Sequence, residues 1–478
     1  EAIKRMPDIE VAAPLAPIGY DRPVFSFGKI SKPKQPGIYR HVVEVYANDG
    51  VQPNLMMQQT RYYTVGPWSM PTDWEQALRD YGVESWILDV GGGINQQLLV
   101  VGIDPQAEAA LVGLDQAVLP IGKSRYFTEQ DKVTTINVGD GRKVMHLPIL
   151  MSSRMDSDLK VTYRYERLDL PFATSEDANR TMEEVKKNGG VSYLHQQKSA
   201  GERLEYEFDS RQMHQLIMAS LSGVDPETGQ TFSRDYHGGQ SASLGGLILE
   251  KPSSLSLRKV SSPYPERWPY GYEAIPVQPH IPAELQTYFL MKPERYPNSF
   301  RSTHFFVDWK NRKITPYWIG FYDPEKLRIS KEPDSELPME TYRPATGRLV
   351  LDKNDKPLNP PVQVKPTDNP FGLLTSPPLL LTTLEAAAEV LGDKPIAAIR
   401  LKVKGVQEVS EENKEKLELL AKEIENKTGL IVDITLGSSP QPVLVHIPKN
   451  GTYDESGWME QFFIKLGTAF TLVQETKL

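Results

Sequence analysis

The chain contains no cysteine among its 478 residues. Disulfide scaffolds, thiol nucleophiles, zinc–thiolate sites and iron–sulfur clusters are therefore excluded. A long chain without thiols suits an exported protein that folds without disulfides, although thermophilic proteins also avoid cysteine. We expect the chain to act outside the cytoplasm.

Concentrated positive charge and long apolar runs are also missing. The formal net charge is -8 and there is no run of five basic residues, so we predict no nucleic-acid partner. No stretch approaches the roughly 18 apolar residues that cross a bilayer. The chain starts at Glu1 instead of Met and stops abruptly after the strand-like residues 470–474. We expect both ends to continue into a longer membrane protein.

The common catalytic and nucleotide-binding motifs do not occur. The sequence has no His-Glu-x-x-His, no Gly-x-x-x-x-Gly-Lys-Ser/Thr and no Gly-x-Gly-x-x-Gly that follows a strand. The glycines at 91–93 precede a predicted strand instead of opening a helix, which favours a loop. We therefore predict no catalytic residue, no cofactor and no metal site, and any ATPase must be a separate subunit.

Five segments carry weaker hints of chemistry. Residues 157–160 and 256–259 match Ser-x-x-Lys, which needs a helix to bring Lys next to Ser, and neither segment has a helical pattern. The loop at 239–245 lacks the second glycine of a nucleophile elbow. His237 has no second or third metal ligand nearby in sequence. Residues 352–355 begin like a calcium loop but lack its Gly and Glu, so we predict a hairpin turn.

Four aromatic residues in a proline-rich stretch are the candidate partner-binding residues: Tyr264, Trp268, Tyr270 and Tyr272. Such rings could stack on sugars or dock a lipid or a protein. Aromatic side chains chiefly supply buried area, so packing within the loop is the interpretation we favour.

Periodicity and capping residues predict several elements in the first half. They are a strand at 9–15 closed by Pro14 and Pro17, strands within 36–66, a helix from a Thr72–Glu75 capping box to Tyr81, a strand at 98–103, a short helix at 108–111 and a helix at 174–189. The stretch 190–375 is rich in proline and aromatics, and we expect it to be irregular and dominated by short strands.

The last hundred residues give a clearer pattern. We predict a helix at 382–391, a strand at 396–403, a helix capped by Ser410 that ends at Gly429, and strands at 430–434 and 443–447. This β-α-β-β order is half of a ferredoxin-like unit. The strand at 9–15 could supply the missing partner.

Several stretches look like the signatures of one family: Met6–Leu15, Val101–Pro105 with Glu108–Leu111, Gly320–Leu327, Glu340–Pro344, Pro377–Glu385, Asp433–Pro442 and Gly457-Trp458. With them the chain resembles MacB-type permeases of the FtsX-like ABC transporter superfamily, particularly the large-insert kind of Gram-positive bacteria. The likeness covers both ends and parts of the middle. Residues 160–260 match least.

The resemblance implies an α+β fold with a membrane-proximal, ferredoxin-like (porter-type) platform. Residues 1–20 and 371–478 would form the platform, and 21–370 a β-rich distal insert with a further break near 160–260. It also implies an extracytoplasmic domain at the cell membrane with the lipid bilayer beside both termini. Partners would be a cognate cytoplasmic ABC ATPase and an unidentified extracellular substrate or protein.

Two other functions remain open at this point. A secreted or surface-anchored binding or sensor protein for carbohydrate or peptide would use the aromatic middle. A hydrolase would depend on Ser157 or Ser241.

Overall fold

The computed structural model describes most of the chain: residues 2–21, 24–26, 33–83, 93–95, 97–137, 143–224, 228–229, 249–251, 255–283, 299–302, 304–306, 312–329, 342–345, 347–367, 369–406, 410–435, 441–463 and 473–475. Structural statements below refer to these residues. Glu1 and Leu478, whose proximity the membrane interpretation predicts, lie outside them, as do His237 and Ser241.

Twenty-two described strands, numbered β1 to β22 in chain order, are Ile9–Asp21, Val24–Ser26, Gly37–Asn48, Pro53–Val65, Gly93–Asn95, Leu98–Ile103, Thr134–Asn137, Lys143–Ser152, Asp158–Leu168, Ser199–Asp209, Leu249–Lys251, Leu255–Val260, Gly271–Ala274, His304–Phe306, Arg312–Tyr322, Gly347–Leu351, Pro357–Val364, Leu380–Thr383, Ala398–Val403, Gln441–Ile447, Gly457–Phe463 and Val473–Glu475. The described α-helices, α1 to α7, are Trp74–Tyr81, Pro105–Val112, Ser175–Lys187, Val191–Gln196, Ser210–Ser222, Leu384–Leu391 and Glu411–Thr428. Short 3-10 helices cover Ile3–Arg5 and Pro324–Lys326.

The molecule is a mixed α+β structure made mostly of sheets, as predicted. The main sheet has the order β15-β8-β18-β6-β1-β19, with β7 paired to β8. A four-stranded sheet has the order β10-β9-β3-β4. The C-terminal sheet has the order β17-β16-β21-β20-β13-β12-β22. Two further strand pairs are β11-β14 and β2-β5.

The main sheet joins distant parts of the chain around a buried centre. All six residues of β6 are buried. Strands β18 and β19 run parallel to each other, are connected by α6, and have β6 and β1 between them. A Cβ on Gly102 would clash with Ala387 of α6, so glycine lets this helix lie close to the sheet. Strands from the first, middle and last parts of the sequence share the sheet, and the domain boundaries at 20 and 370 stay a prediction.

The prediction that Pro14 and Pro17 end the first strand is wrong. Strand β1 runs through both prolines to Asp21. It changes partner at Leu15: the preceding residues pair with β19 and the following ones with β6. Each proline therefore lies where only one side of the strand is paired, and the missing N–H need not interrupt a ladder there.

The prediction of a strand at 430–434 is also wrong. These residues form no strand, and Ile431 is 86% exposed. The backbone N–H of Val432 donates to the Glu425 carboxylate at 3.3 Å instead of entering a ladder. Strand β20 lies in the C-terminal sheet, away from β19. The contiguous β-α-β-β order is therefore absent from the described residues, and the ferredoxin-like fold is not confirmed. A run of β-branched residues forms a strand only where a sheet edge is available for pairing and another layer covers the apolar side chains.

Three helices begin at a different residue from the predicted one, because the residue that caps each helix differs. Asp73, not Thr72, accepts the first-turn N–H of α1. Asp104 caps α2, which begins three residues before the predicted Glu108. The predicted helix at 382–391 is a strand end followed by α6, with Thr383 as the cap. Side chains that accept N–H groups at N2 and N3 fix these starts.

Helix α5 was not expected in the middle of the chain. Asp209 and Gln212 form a reciprocal capping box at its start. By contrast, α3 and α7 confirm their predictions. Ala178, Met182 and Val185, which fall at helical spacing in the predicted segment, form the buried face of α3.

Candidate functional site

Helix α2 places a carboxylate in the protein core. The chain leaves β6 at Ile103, and Asp104 Oδ1 accepts the N–H groups of Gln106 and Ala107, both at 3.1 Å. Pro105 suits the first helical position because its ring pre-sets the backbone. Glu108 is fully buried, four residues before the buried Val112. A charged residue therefore lies on the inner face of this helix.

Both carboxylate oxygens of Glu108 have partners. The Tyr342 hydroxyl donates to Oε2 at 2.6 Å, and the Arg400 guanidinium donates to Oε1. The Arg400 Cζ atom also lies 5.6 Å from the centroid of the Tyr342 ring. We call Glu108, Tyr342 and Arg400 the Glu108 cluster.

Burial dominates the electrostatics of this cluster. It raises the pKa of Glu108, while the charge of Arg400 and the Tyr342 hydroxyl act in the opposite direction. Burial, followed by the charge of Glu108, raises the pKa of Tyr342 well above its usual value. Tyr342 therefore stays a neutral donor. Removing one partner would leave the other polar group buried without compensation.

Two neighbouring segments complete the surroundings of α2. Arg328 donates from Nη2 to the Ala109 carbonyl at 3.1 Å and from its backbone N–H to the Val112 carbonyl at 2.9 Å. The Tyr322 ring packs edge-on against Tyr342 with centroids 6.2 Å apart.

Stretches that carry the family resemblance thus meet here. They are the segments around 101–111 and 320–327, and the described part, 342–344, of the segment 340–344. The Glu108 cluster connects them to β19 through Arg400. With Glu108 fully buried and both of its oxygens engaged, the arrangement suits the joining of elements better than proton transfer to a bound substrate.

The sequence indicated the segments of this cluster but not the role of Glu108. One signal was present: Glu108 falls at the helical spacing of Val112, on the apolar side of α2. Arg400 and Tyr342 are 292 and 234 residues away in sequence, and no local pattern pairs them.

The four predicted aromatic residues do not form one binding platform. Trp268 is buried and its indole N–H donates to Glu460 at 2.7 Å. Tyr272 is buried in the core of the C-terminal sheet. Tyr264 lies edge-on to Trp268 with centroids 6.4 Å apart. Tyr270 is 42% exposed. The structure brings Tyr264 and Trp268 together and buries much of the aromatic surface proposed for binding.

The two Ser-x-x-Lys segments have extended geometry. Ser157 is buried just before β9, and Lys160 within that strand pairs with Glu207 at 2.7 Å. Ser256 and Lys259 lie in β12. Residues three apart on a strand point to opposite faces, so the lysine in β12 is not placed to activate its serine.

The acidic segment 352–355 is a turn between β16 and β17, as predicted. Asp352 Oδ1 accepts the N–H groups of Asn354 at 2.8 Å and Lys356 at 2.9 Å. In the described part of the chain, no group of three His, Asp or Glu residues is arranged to hold a metal ion.

Comparisons of the chain with protein-family models, curated proteins and solved structures found no match. Among the described residues, no helix has both the length and the apolar character needed to span a membrane. The resemblance to FtsX-like permeases therefore stays a prediction that rests on its motifs.

Proposed function

We propose that the chain is the extracytoplasmic domain of a MacB-type, FtsX-like ABC transporter permease. In this role it transmits ATP-driven motion of membrane helices to a substrate or partner outside the membrane. The observation that carries the proposal is the antiparallel pairing of residues 9–15 in β1 with β19. The beginning of the chain and its last hundred residues thereby share one sheet.

Surface contacts reinforce this pairing. Lys402 pairs with Glu10 at 2.6 Å, and Lys416 of α7 pairs with Asp8 at 3.3 Å. The Lys404 ammonium donates to the Pro7 carbonyl at 2.7 Å. Each exposed pair adds little stability, but together with the ladder they fix the register of the first strand. Force applied to the chain on the N-terminal side of residue 9 would therefore reach the main sheet through β1 and β19.

The porter-type platform is the finer part of the proposal. Strands β18 and β19 with α6 form a β-α-β connection that two other strands split, a topology related to ferredoxin-like units. We assign the platform to β18, β6, β1 and β19 with their helices. The Glu108 cluster fastens α2 and residues 342–345 to this group.

The test begins with the full-length gene product and with any ABC ATPase that is encoded beside it. We expect hydrophobic helices before residue 1 and after residue 478, and co-purification of the ATPase with the full-length protein in detergent or nanodiscs. A signal peptide together with a stop codon after Leu478 would refute the proposal. That result would support a secreted binding protein for carbohydrate or peptide.

A functional measurement addresses motion transfer. Arg400→Met in the full-length complex should uncouple the outer domain, so that transport-linked activity falls while the ATPase remains bound. The matched control is Arg258→Met, which removes an exposed arginine paired with Glu273 in the C-terminal sheet. Equal effects of both substitutions would contradict a special role of the Glu108 cluster.

A further inference from the structure

The tip of the β3–β4 hairpin is an ordered polar loop with a buried carboxylate. Asp49 is 3% exposed, and its Oδ1 accepts the N–H groups of Val51 and Gln52, both at 2.8 Å. Asn54 donates to Oδ2 at 2.9 Å. These bonds give the tip, residues 49–54, a fixed shape before any contact outside the hairpin is considered.

The tip enters the C-terminal sheet at two places. The Tyr453 hydroxyl donates to Asp49 Oδ2 at 2.8 Å, and the Lys365 N–H donates to the Asp49 carbonyl at 2.7 Å. The Gln52 amide donates to the Asp454 carbonyl at 3.0 Å and accepts the Asp454 N–H at 3.2 Å. We call the receiving residues, 363–365 and 453–456, the socket.

Steric fit supports the polar contacts. Gly50 has a φ of +90°, and a Cβ there would overlap the Gln363 carbonyl oxygen. Only glycine combines this backbone angle with so close an approach. Val51 packs against the hydrophobic core of the C-terminal sheet. The loop is therefore shaped to the socket in both its backbone and its side chains.

The space beside Asp49 is too small for a ligand. The cavity that Asp49, Asn54, Thr367, Asn369 and Tyr453 help to line has room for about one water molecule. Its wall includes residues 372–374.

The far wall of that cavity is itself held in place. The fully buried Arg301 donates to the carbonyls of Gly372 and Leu373, each at 2.8 Å. A rigid, nearly filled polar contact fits a mechanical joint better than a binding pocket.

We infer that the tip and socket form a joint that fixes the four-stranded sheet relative to the C-terminal sheet. In the described residues, no strand of one sheet pairs with a strand of the other, so backbone ladders do not supply this connection. The joint gives motion of one sheet a route to the other. That biological role rests on the proposed function, whereas the joint itself does not.

The experiment uses the purified domain and spin labels. Because the chain lacks cysteine, a Glu183→Cys and Lys353→Cys pair labels one site on each sheet. Glu183 lies on α3, whose inner face packs on the four-stranded sheet, and Lys353 lies in the β16–β17 turn. Pulsed dipolar spectroscopy should give one narrow distance distribution for the parent protein. Asp49→Ala should replace it with a broad one.

Two comparisons keep the result interpretable. Asn48→Ala is the matched control, because Asn48 accepts the Gly50 N–H within the hairpin and is exposed. It should leave the narrow distribution intact. Tyr453→Phe keeps the ring and removes only the donor, so it should broaden the distribution even where Asp49→Ala fails to fold.

An unchanged distribution in a folded Asp49→Ala or Tyr453→Phe protein would overturn the joint. This outcome is separate from the transporter proposal, which the full-length gene product decides. If the gene product has no flanking membrane helices but the spectroscopy supports the joint, the joint stands. Only its role in transport is then withdrawn.

Discussion

The Glu108 cluster and the Asp49 tip both bury a carboxylate, but they compensate its charge differently. Glu108 has a counter-charge in Arg400 and one hydroxyl donor in Tyr342. Asp49 has four neutral donors, from two backbone N–H groups, an amide and the Tyr453 hydroxyl. The first arrangement depends on a partner far away in sequence, and the second is largely local.

This difference indicates how each region should respond to change. A buried ion pair is stable while both charges are present, but either charge left alone in the core is strongly unfavourable. A carboxylate with several neutral donors loses only a fraction of its stabilisation when one donor is removed. Removing a partner of Glu108 should therefore cost more global stability than removing one donor of Asp49, whose loss should mainly loosen the joint locally.

The largest expected effect is that of Arg400→Met. It leaves Glu108 buried without a counter-charge, and we expect the free energy of unfolding to fall by about 3–5 kcal/mol. Chemical denaturation measures the loss. The control is the double variant Glu108→Leu/Arg400→Met, which removes both charges and should recover most of it. A double variant as unstable as the single one would show that packing, not the unpaired charge, is responsible.

The second prediction concerns the joint. Tyr453→Phe removes one donor from the buried Asp49 carboxylate, and we expect a loss of about 1.5–3 kcal/mol. Tyr270→Phe is the control, since Tyr270 is 42% exposed and its loss should stay within about 0.5 kcal/mol. If Tyr453→Phe destabilises the protein more than Arg400→Met does, the order of sensitivity given above is wrong.

A third buried group extends the comparison to a site without hydrogen-bond partners. His41 on β3 is 3% exposed and lies among tyrosine rings, with centroid distances of 4.1 Å to Tyr163 and 5.0 Å to Tyr165. No described residue forms a hydrogen bond with either ring nitrogen. Burial, followed by the charge of Arg61, lowers the pKa of His41 from 6.5 to about 3.

This lowered pKa predicts acid sensitivity. The folded state keeps His41 neutral while the unfolded chain takes up a proton below pH 6.5, so its contribution is complete above that pH and is lost as pH falls towards 3. At pH 4.5, two units below the unfolded pKa, the loss should be about 3 kcal/mol. Chemical denaturation measures the free energy of unfolding at pH 7 and at pH 4.5. The difference between these two values should be smaller for His41→Phe than for the parent protein. His280→Phe, at an exposed site, should behave like the parent, and an unchanged His41→Phe difference would contradict the assignment.

The smallest effect is expected in the segment 430–434 that follows α7. Ile431 is 86% exposed, so Ile431→Ser should change the free energy of unfolding by less than about 0.5 kcal/mol. Ile424→Ser, on the buried face of the preceding helix α7, is the control and should cost several times more. A large loss for Ile431→Ser would mean that residues 430–434 are packed after all.

Sequence patterns located many elements but not their partners. The cap at Ser410 and the apolar face of α3 were predictable because they depend on residues within two turns of a helix. Strand β6 was predictable because a short apolar run is bounded by an Asp-Pro turn. For Leu430 and Ile431 the same reasoning gave a strand, since β-branched composition does not reveal whether a neighbouring edge exists.

The sequence by itself determined the mixed α+β class, the cap of α7 at Ser410 and the buried face of α3. Only the tertiary structure decided that Arg400 neutralises Glu108, that β1 passes two prolines by changing partners, and that the hairpin tip enters a socket formed more than 300 residues later. The physical reason is the separation along the chain over which each interaction acts. Capping and amphipathicity act within a few residues, whereas charge burial and strand pairing depend on surfaces that exist only after distant segments meet.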